Sequence, residues 1–283
     1  MRVLFWSELF WPYIGGAENG GLELILSLRQ RGHEFIVVTR QDDLTQPTVE
    51  EYEGVRIYRF PFWKAYADHN LQLLLEARKG VRKLIHEFSP DLVHLHHLGP
   101  SSLFYLETTK DHSVPLLVTL TSGNIEKVVG LKLLESILRI ADWVTAKSTG
   151  ILKSAHQLVP QIVHHSSVIY RGRSDLLPQR NSSPTILQRI LCVGRLSTEK
   201  GFDLALSALA AIVGQFPEVE MVIVGDGTAR SSLEQQAESL GLTDKVKFLG
   251  WVIPEKVPAL LATAHVVMIP SRYEGVPRVA VEA

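Results

Sequence analysis

Apolar residues along this chain fall in short, β-branched runs separated by longer segments of helical periodicity, and the runs tend to end at Gly, Ser, Pro or Asp. That alternation predicts βαβ units and parallel sheets. In the first half, strands are expected over 2–7, 34–39, 55–60, 92–96, 116–120, 143–146 and 167–170, with helices between them. The first helix is expected over 17–30, where Leu22, Leu24, Ile25, Leu26 and Leu28 supply an apolar face and Gly32 a stop. Residues 171–184 are polar, contain proline and lack periodicity, after which the alternation restarts. Strands follow over 189–193, 220–224, 246–249 and 265–269, with helices starting near Phe202, Thr228 and Glu255 and a last one near Pro277. The pattern predicts two Rossmann-like, doubly wound α/β domains. Their expected bounds are 1–172 and 188–283, joined by a linker at 173–187, with only four strands and an exposed edge in the second.

Composition narrows the function. The 283 residues are 46% hydrophobic and 21% charged, an ordinary globular balance. A net charge of −1 gives no electrostatic support for nucleic-acid binding, so any anion must be held by a few placed cations. The single cysteine, Cys192, excludes an internal disulfide framework and suits a reducing compartment. The opening apolar stretch is too short, and too soon interrupted by Glu8, for a signal peptide. No segment approaches the roughly 20 apolar residues that span a bilayer, so a cytoplasmic or peripheral location is expected.

Four segments carry candidate chemistry. In Pro12-Tyr13-Ile14-Gly15-Gly16-Ala17-Glu18, two glycines let backbone approach a ligand at the amides of a helix start, although tight turns need glycine for conformation alone. Val193-Gly194-Arg195-Leu196-Ser197-Thr198-Glu199-Lys200-Gly201 leaves a strand end carrying a donor fork and a point charge, which suits a diphosphate. For an arbitrary loop, pairing of those cations with Glu199 is the better reading. Val224-Gly225-Asp226-Gly227 matches a dinucleotide fingerprint only partially, since Arg230 stands where a third glycine belongs; it reads as a turn packing a helix on the sheet. Pro270-Ser271-Arg272-Tyr273-Glu274-Gly275-Val276-Pro277 turns from a strand into a helix that contains Glu282. Eight positions on a helix rise roughly 12 Å, too far for Glu274 and Glu282 to share one scissile bond, so they suit two ends of a polyhydroxylated ligand. His94 and His96 share a strand face, but no third metal ligand follows a matching motif, and satisfied interior histidines are the commoner outcome. No metal site is assigned.

In this order the segments resemble the retaining glycosyltransferases of family 4, the glycosyl transferases of group 1. The likeness takes in Gly-Gly after the first strand, Arg-Gly-His-Glu-Phe, Pro-Asp-Leu-Val-His, Ala141-Asp142, Val-Gly-Arg-Leu-x-x-x-Lys-Gly, Val-Gly-Asp-Gly, Phe-Leu-Gly-Trp-Val and Pro-Ser-x-x-Glu-Gly with its Glu-x7-Glu spacing. The resemblance implies a GT-B fold, with a nucleoside-diphosphate sugar on the C-terminal side of a cleft and the acceptor on the N-terminal side. It implies catalysis without a metal or other cofactor. Arg195 and Lys200 would neutralise the leaving diphosphate with help from amides near Gly15, Gly16, Gly275 and Val276, and Glu274 would hold the donor sugar. Glu282 would bind the ribose and the loop around Val252 would lie along the base. Acceptor-side candidates are Thr121, Ser122 and His97.

Two departures from the family pattern alter the expectation. A cleft histidine common in the family is replaced by Thr121-Ser122-Gly123, and a hydroxyl cannot carry positive charge. The family's further C-terminal strands and helix do not follow Ala283, so the second domain is expected to be incomplete, as a fragment or as a naturally shortened product. The expected activity is transfer of a hexose from a UDP- or GDP-sugar to a glycan, lipid or small-molecule acceptor, in cell-envelope or polysaccharide biosynthesis. The alternative is an inactive or fragmentary relative that binds nucleotide sugar or partners a complete transferase. An epimerase or phosphorylase is weaker, for want of a second acid–base pair or a cofactor lysine. Arg78, Lys79, Arg82 and Lys83 beside leucines suggest peripheral membrane contact, against the commoner reading of a solvated helix face.

Overall fold

The computed structural model describes residues 1–13, 15–108, 114–122, 130–170, 172, 188–274 and 276–283. The chain divides into two compact units, Met1–Tyr170 and Arg171–Ala283. The linker expected at 173–187 and the candidate residue Gly275 lie outside the described residues.

The first unit is an eight-stranded sheet. Its strands are β1 (Arg2–Ser7), β2 (Glu34–Arg40), β3 (Val49–Tyr52), β4 (Val55–Phe60), β5 (Leu92–His97), β6 (Leu116–Leu120), β7 (Trp143–Ala146) and β8 (Ser166–Val168). Their order is β3-β4-β2-β1-β5-β6-β7-β8, parallel throughout except for β3, which runs antiparallel on β4. Val3 and Phe5 of β1 pack with Phe35 and Val37 of β2 and Ile25 of α1 (Gly16–Arg29), whereas Leu4 and Trp6 join a larger core on the other face. With both faces covered, the strands read as unbroken apolar runs. Two aspartates pin strand starts: Asp91 accepts from the Arg2 amide at 2.7 Å and Asp142 from the Leu116 amide at 2.7 Å.

On the larger core's side, α2 (Phe62–Ala67) leads to α3 (Leu71–Phe88), capped by Asn70, whose side chain accepts from the Leu73 amide at 3.0 Å. Ala77, Val81, Leu84, Ile85 and Phe88 form its buried stripe. The four cations proposed for membrane contact do not act as one face. Arg78 donates to the Glu107 carbonyl of α4 (Ser102–Thr108) at 3.1 Å and Arg82 points the same way at 3.5 Å, while Lys79 and the Glu87-paired Lys83 face solvent. Helices α5 (Leu131–Ile140) and α6 (Thr149–Leu158) also belong to this unit, followed by a 3-10 helix at Pro160–His165.

The second unit holds β9 (Arg189–Val193), α7 (Phe202–Ile212), β10 (Glu220–Val224), α8 (Arg230–Ser239), β11 (Val246–Gly250), α9 (Val257–Leu261), β12 (Val266–Val267) and α10 (Arg278–Glu282). Strand order is β11-β10-β9-β12, all parallel. Ile190, Cys192, Met221 and Ile223 meet Phe202, Leu206, Leu209 and Leu233 on one face; Leu191, Val222 and Val224 meet Leu261, Ala264 and Val279 on the other.

Several expected bounds shift. β8 ends at Val168 rather than residue 170, and β12 keeps two residues of the five expected. The helix expected from Thr228 begins at Arg230, because Ala229 donates its amide back to the Leu196 carbonyl at 2.9 Å. The helix expected near Glu255 begins as a 3-10 turn at Pro254–Lys256, and Glu274 and Glu282 do not share a helix, since α10 starts only at Arg278.

Candidate functional site

In an open parallel sheet, ligands bind at the carboxyl ends of strands where the strand order reverses. In the second unit that point lies between β9 and β12, which succeed each other in space but not in sequence. The loop after β9 carries Arg195 and a 3-10 turn over Thr198–Lys200; the loop after β12 carries Ser271, Arg272 and Glu274. The two loops meet. Lys200 pairs with Glu274 through Nζ and Oε1, and Ser271 Oγ donates to the same carboxylate oxygen at 3.0 Å. Close approach depends on Gly201, whose φ of +67° disfavours other residues and where a Cβ would collide with the Pro270 carbonyl.

Arg195 is exposed on the same loop, and its guanidinium makes no hydrogen bond or ion pair with the described residues. Glu199 is held below its ordinary pKa chiefly by a hydrogen bond from Ser197 Oγ at 2.6 Å, with smaller contributions from Arg195 and Lys200. The alternative weighed for this loop, pairing of both cations with Glu199, is not the arrangement formed, since Lys200 pairs with Glu274.

The Gly225-Asp226-Gly227 turn acts on this loop more than on a helix. Gly225, at φ +134°, brings its backbone against Gly194, where a Cβ would collide with the Gly194 carbonyl. The Leu196 amide donates to the Asp226 carbonyl at 2.9 Å. To the helix packing expected of this turn the structure adds a backbone seam that fixes the exit of β9.

Other expected residues are more dispersed. Glu282 pairs with Arg278 one helical turn away. Val276 is half-buried just before α10. Val252 packs on the core under β10 while its neighbour Trp251 is 56% exposed.

In the first unit the order reverses between β1 and β5. There the Glu8 amide donates to the His97 carbonyl at 2.8 Å. The buried Glu8 carboxylate accepts from the Ser101 amide at 2.9 Å and lies 3.5 Å from Arg40. Gly15 is the extended residue before α1 and Gly16 its first helical residue; the Glu18 carboxylate folds over Gly15, where a Cβ would strike it. His97 Nδ1 lies 3.6 Å from Glu18 Oε1, near enough for attraction but too long for a hydrogen bond. Burial lowers the His97 pKa, with Glu18 opposing. Thr121 is half-buried and Ser122 exposed at the end of β6.

His94 and His96 do share a face, with ring centroids 5.3 Å apart. His94 is a satisfied interior histidine: Nε2 bonds to Thr119 Oγ1 at 2.8 Å, and Thr119 Oγ1 to Thr145 Oγ1 at 2.7 Å, and burial drives its pKa down to about 3. Among the described residues no group of three metal-capable side chains converges, and no helix is long and apolar enough to cross a membrane. A cavity of about 1090 Å3 opens at the opposite, amino edge of the first sheet, where Arg2, Arg29 and Arg56 are interspersed with Glu34, Glu51 and Glu53.

Sequence reasoning missed Glu8, Glu18, Asp203 and Arg272 as parts of these strand-end clusters. Arg272 and Asp203 form a bidentate pair across the two loops, at 2.8 and 2.7 Å. The available signal was position: Arg272 stands two residues before Glu274, and Asp203 three after Lys200.

Solved structures with this arrangement share the GT-B fold. Sucrose-phosphate synthase from Thermosynechococcus elongatus matches with a TM-score of 0.80 over 99% of this chain and 78% of that one, at 20% identity. Anabaena HepE in complex with UDP matches with a TM-score of 0.74 over 100% and 78%, at 23% identity. The family model described as Glycosyltransferase Family 4 covers residues 14–175, and that described as Glycosyl transferases group 1 covers residues 175–283. The chain belongs to the family 4 glycosyltransferases. Among curated relatives, the phosphatidylinositol N-acetylglucosaminyltransferase gpi3 subunit of Schizosaccharomyces pombe is 26% identical over 98% of this chain, and Mycobacterium tuberculosis glycogen synthase is 26% identical over 100%. The chain spans 62% of the length of the yeast protein and 75% of the mycobacterial one.

Proposed function

We propose that the β9/β12 strand ends bind the diphosphate of a nucleotide sugar, and that the protein moves a hexose from a UDP- or GDP-sugar to a glycan or lipid acceptor with retention and without a metal. The carrying observation is the meeting of Lys200 and Glu274 at the switch point of the second sheet, with Arg195 on the same loop. As the bond from C1 of the sugar to the diphosphate oxygen breaks, its electron pair stays on that oxygen, where the two cations stabilise the charge. The acceptor oxygen bonds to C1 on the face that the diphosphate leaves, and its proton passes to the departing diphosphate oxygen. Glu274 would hold the sugar, the amides near Gly275 and Val276 would assist the cations at the diphosphate, Glu282 would bind the ribose and Val252 would lie along the base. Within the first unit, Gly15 and Gly16 would offer backbone amides, and Thr121, Ser122 and His97 would contact the acceptor.

The UDP in the HepE structure supports a nucleotide donor, and the names of the curated relatives support lipid and glycan acceptors in turn. Action in the cytoplasm, with peripheral contact where the acceptor is a lipid, is part of the same proposal. Binding without transfer is the second reading, favoured by the uncharged Thr121 at the end of β6.

Calorimetry with UDP and GDP, with EDTA present, tests the binding step. Saturable binding by the parent that Lys200→Ala weakens is expected; no binding of either nucleotide refutes the proposal. Release of UDP or GDP from a sugar nucleotide then separates transfer from binding alone.

A further inference from the structure

Arg272 fastens together the two loops that carry Lys200 and Glu274. Its Nη1 donates to the Thr198 carbonyl at 2.7 Å and to Asp203 Oδ1 at 2.8 Å, its Nη2 donates to Asp203 Oδ2 at 2.7 Å, and its backbone amide donates to the Glu199 carbonyl at 2.8 Å. Three residues flanking Lys200 on both sides are thus tied to one residue two positions before Glu274. Asp203 sits in the first turn of α7, and the Arg272 hydrogen bonds hold its carboxyl below the usual carboxylate range. Only a planar fork can grip a carboxylate with two nitrogens and reach a carbonyl with one of them as well; an ammonium cannot.

The pair is more elaborate than stability requires. Its side chains are 34% and 41% exposed, and ion pairs that exposed contribute little to folding. What they do fix is geometry, because β12 is two residues long and gives the loop after it little ladder to hold its direction.

We propose that Arg272 is a positioning residue for nucleotide binding, setting the placement of Lys200 and Glu274 through its bidentate bond to Asp203 and its bond to the Thr198 carbonyl. The inference rests on the proposed nucleotide site and names what holds that site in shape. Arg189 and Glu220 provide an internal comparison: they pair at 2.6 Å in the same unit, but at the amino ends of β9 and β10, away from both loops.

The experiment is calorimetry of UDP and GDP on the full 283-residue chain, well below the melting temperature, for the parent, Lys200→Ala, Arg272→Ala, Arg272→Lys, Asp203→Asn and Arg189→Ala. Arg272→Ala and Asp203→Asn are expected to weaken the nucleotide by about tenfold or more, and Arg272→Lys by less. Arg189→Ala is expected to lower Tm and leave affinity within about twofold. Should Arg272→Ala fail to fold, Arg272→Lys and Asp203→Asn carry the test. If these variants bind as the parent does while Lys200→Ala does not, the positioning role is overturned and the nucleotide site stands. If Arg189→Ala weakens binding as much as they do, the effect is general destabilisation and the positioning role is likewise overturned. A parent that binds neither nucleotide overturns the site itself and this inference with it.

Discussion

His94 makes the first unit acid-sensitive in a calculable way. Its ring is fully buried, bonded through Nε2 to Thr119, and its pKa is driven by burial from 6.5 to about 3. The folded chain therefore refuses a proton that the unfolded chain accepts once pH falls below about 6.5. Stability contributed by the neutral ring is fully present above that pH and is lost progressively down to about pH 3. One such site costs about 2 kcal/mol between pH 7 and pH 5. His96 and His97, both lowered chiefly by burial, add in the same direction. Urea unfolding followed by tryptophan fluorescence is a suitable assay, because Trp6, Trp11, Trp63 and Trp143 lie in the first unit and only Trp251 in the second. The parent should lose at least about 2 kcal/mol from pH 7 to pH 5. His94→Gln, which keeps a polar nitrogen for Thr119 but cannot titrate, should lose about 2 kcal/mol less over the same range, whatever its stability at pH 7. Equal losses in parent and variant, within about 0.5 kcal/mol, would refute the assignment of a neutral, proton-refusing ring.

Gly225→Ala should destabilise the second unit by more than about 1 kcal/mol, since it meets both a φ of +134° and the Gly194 carbonyl; differential scanning calorimetry reads this as a lowered Tm, and an unchanged Tm would contradict the backbone seam. Cys192 is buried with its thiol pushed up to about 12, so an aromatic disulfide reagent at pH 8 should label it only as fast as the second unit opens; immediate labelling of the native chain would refute this. Arg59, its side chain 2% exposed, donates to Glu50 at 2.7 Å and to the Trp11 carbonyl. Arg59→Ala should cost about 3 kcal/mol in urea unfolding of the first unit, and a loss below about 1 kcal/mol would show the pair to be dispensable.

The strands were legible because parallel sheets covered on both faces demand unbroken apolar runs, and each of the eleven expected strand positions holds a strand. β3 escaped notice because Val49-Glu50-Glu51-Tyr52 carries two carboxylates, tolerable on an edge strand. β12 is short because its ladder on β9 ends with the Met268 amide bond to the Leu191 carbonyl, after which the chain turns and sets Pro270 against Gly201. In the site, glycines and charges at strand ends were visible locally, and the meeting of Lys200 with Glu274 followed from both lying at one switch point. The Arg272–Asp203 clamp was legible only as position, two charged residues beside Glu274 and Lys200, because a bidentate geometry is a property of the folded loops alone. The i, i+2 spacing of His94 and His96 left a metal site and an interior role open to the sequence, with the interior role favoured, and Thr119 on β6, itself bonded to Thr145 on β7, satisfies His94.

The energetics of the Lys200–Glu274 pair bear on why such a pair exists at all. Its side chains are 25% and 24% exposed, and pairs in that setting contribute between nothing and about 1 kcal/mol to folding. Yet three restrictive features converge to maintain it: a left-handed Gly201 pressed against Pro270, a Gly225 seam against Gly194, and an arginine clamp across the loops. Each of these restricts the backbone, and folding has simpler ways to cover the end of a sheet. The arrangement makes physical sense if the loops are shaped for a ligand whose charge exceeds that of one carboxylate. A diphosphate would draw Lys200 and Arg195 to itself and leave Glu274, still held by Ser271, to accept from a sugar hydroxyl. On that argument the weakness of the pair is what suits it to binding, because a partner that contributes little to the fold costs little to exchange.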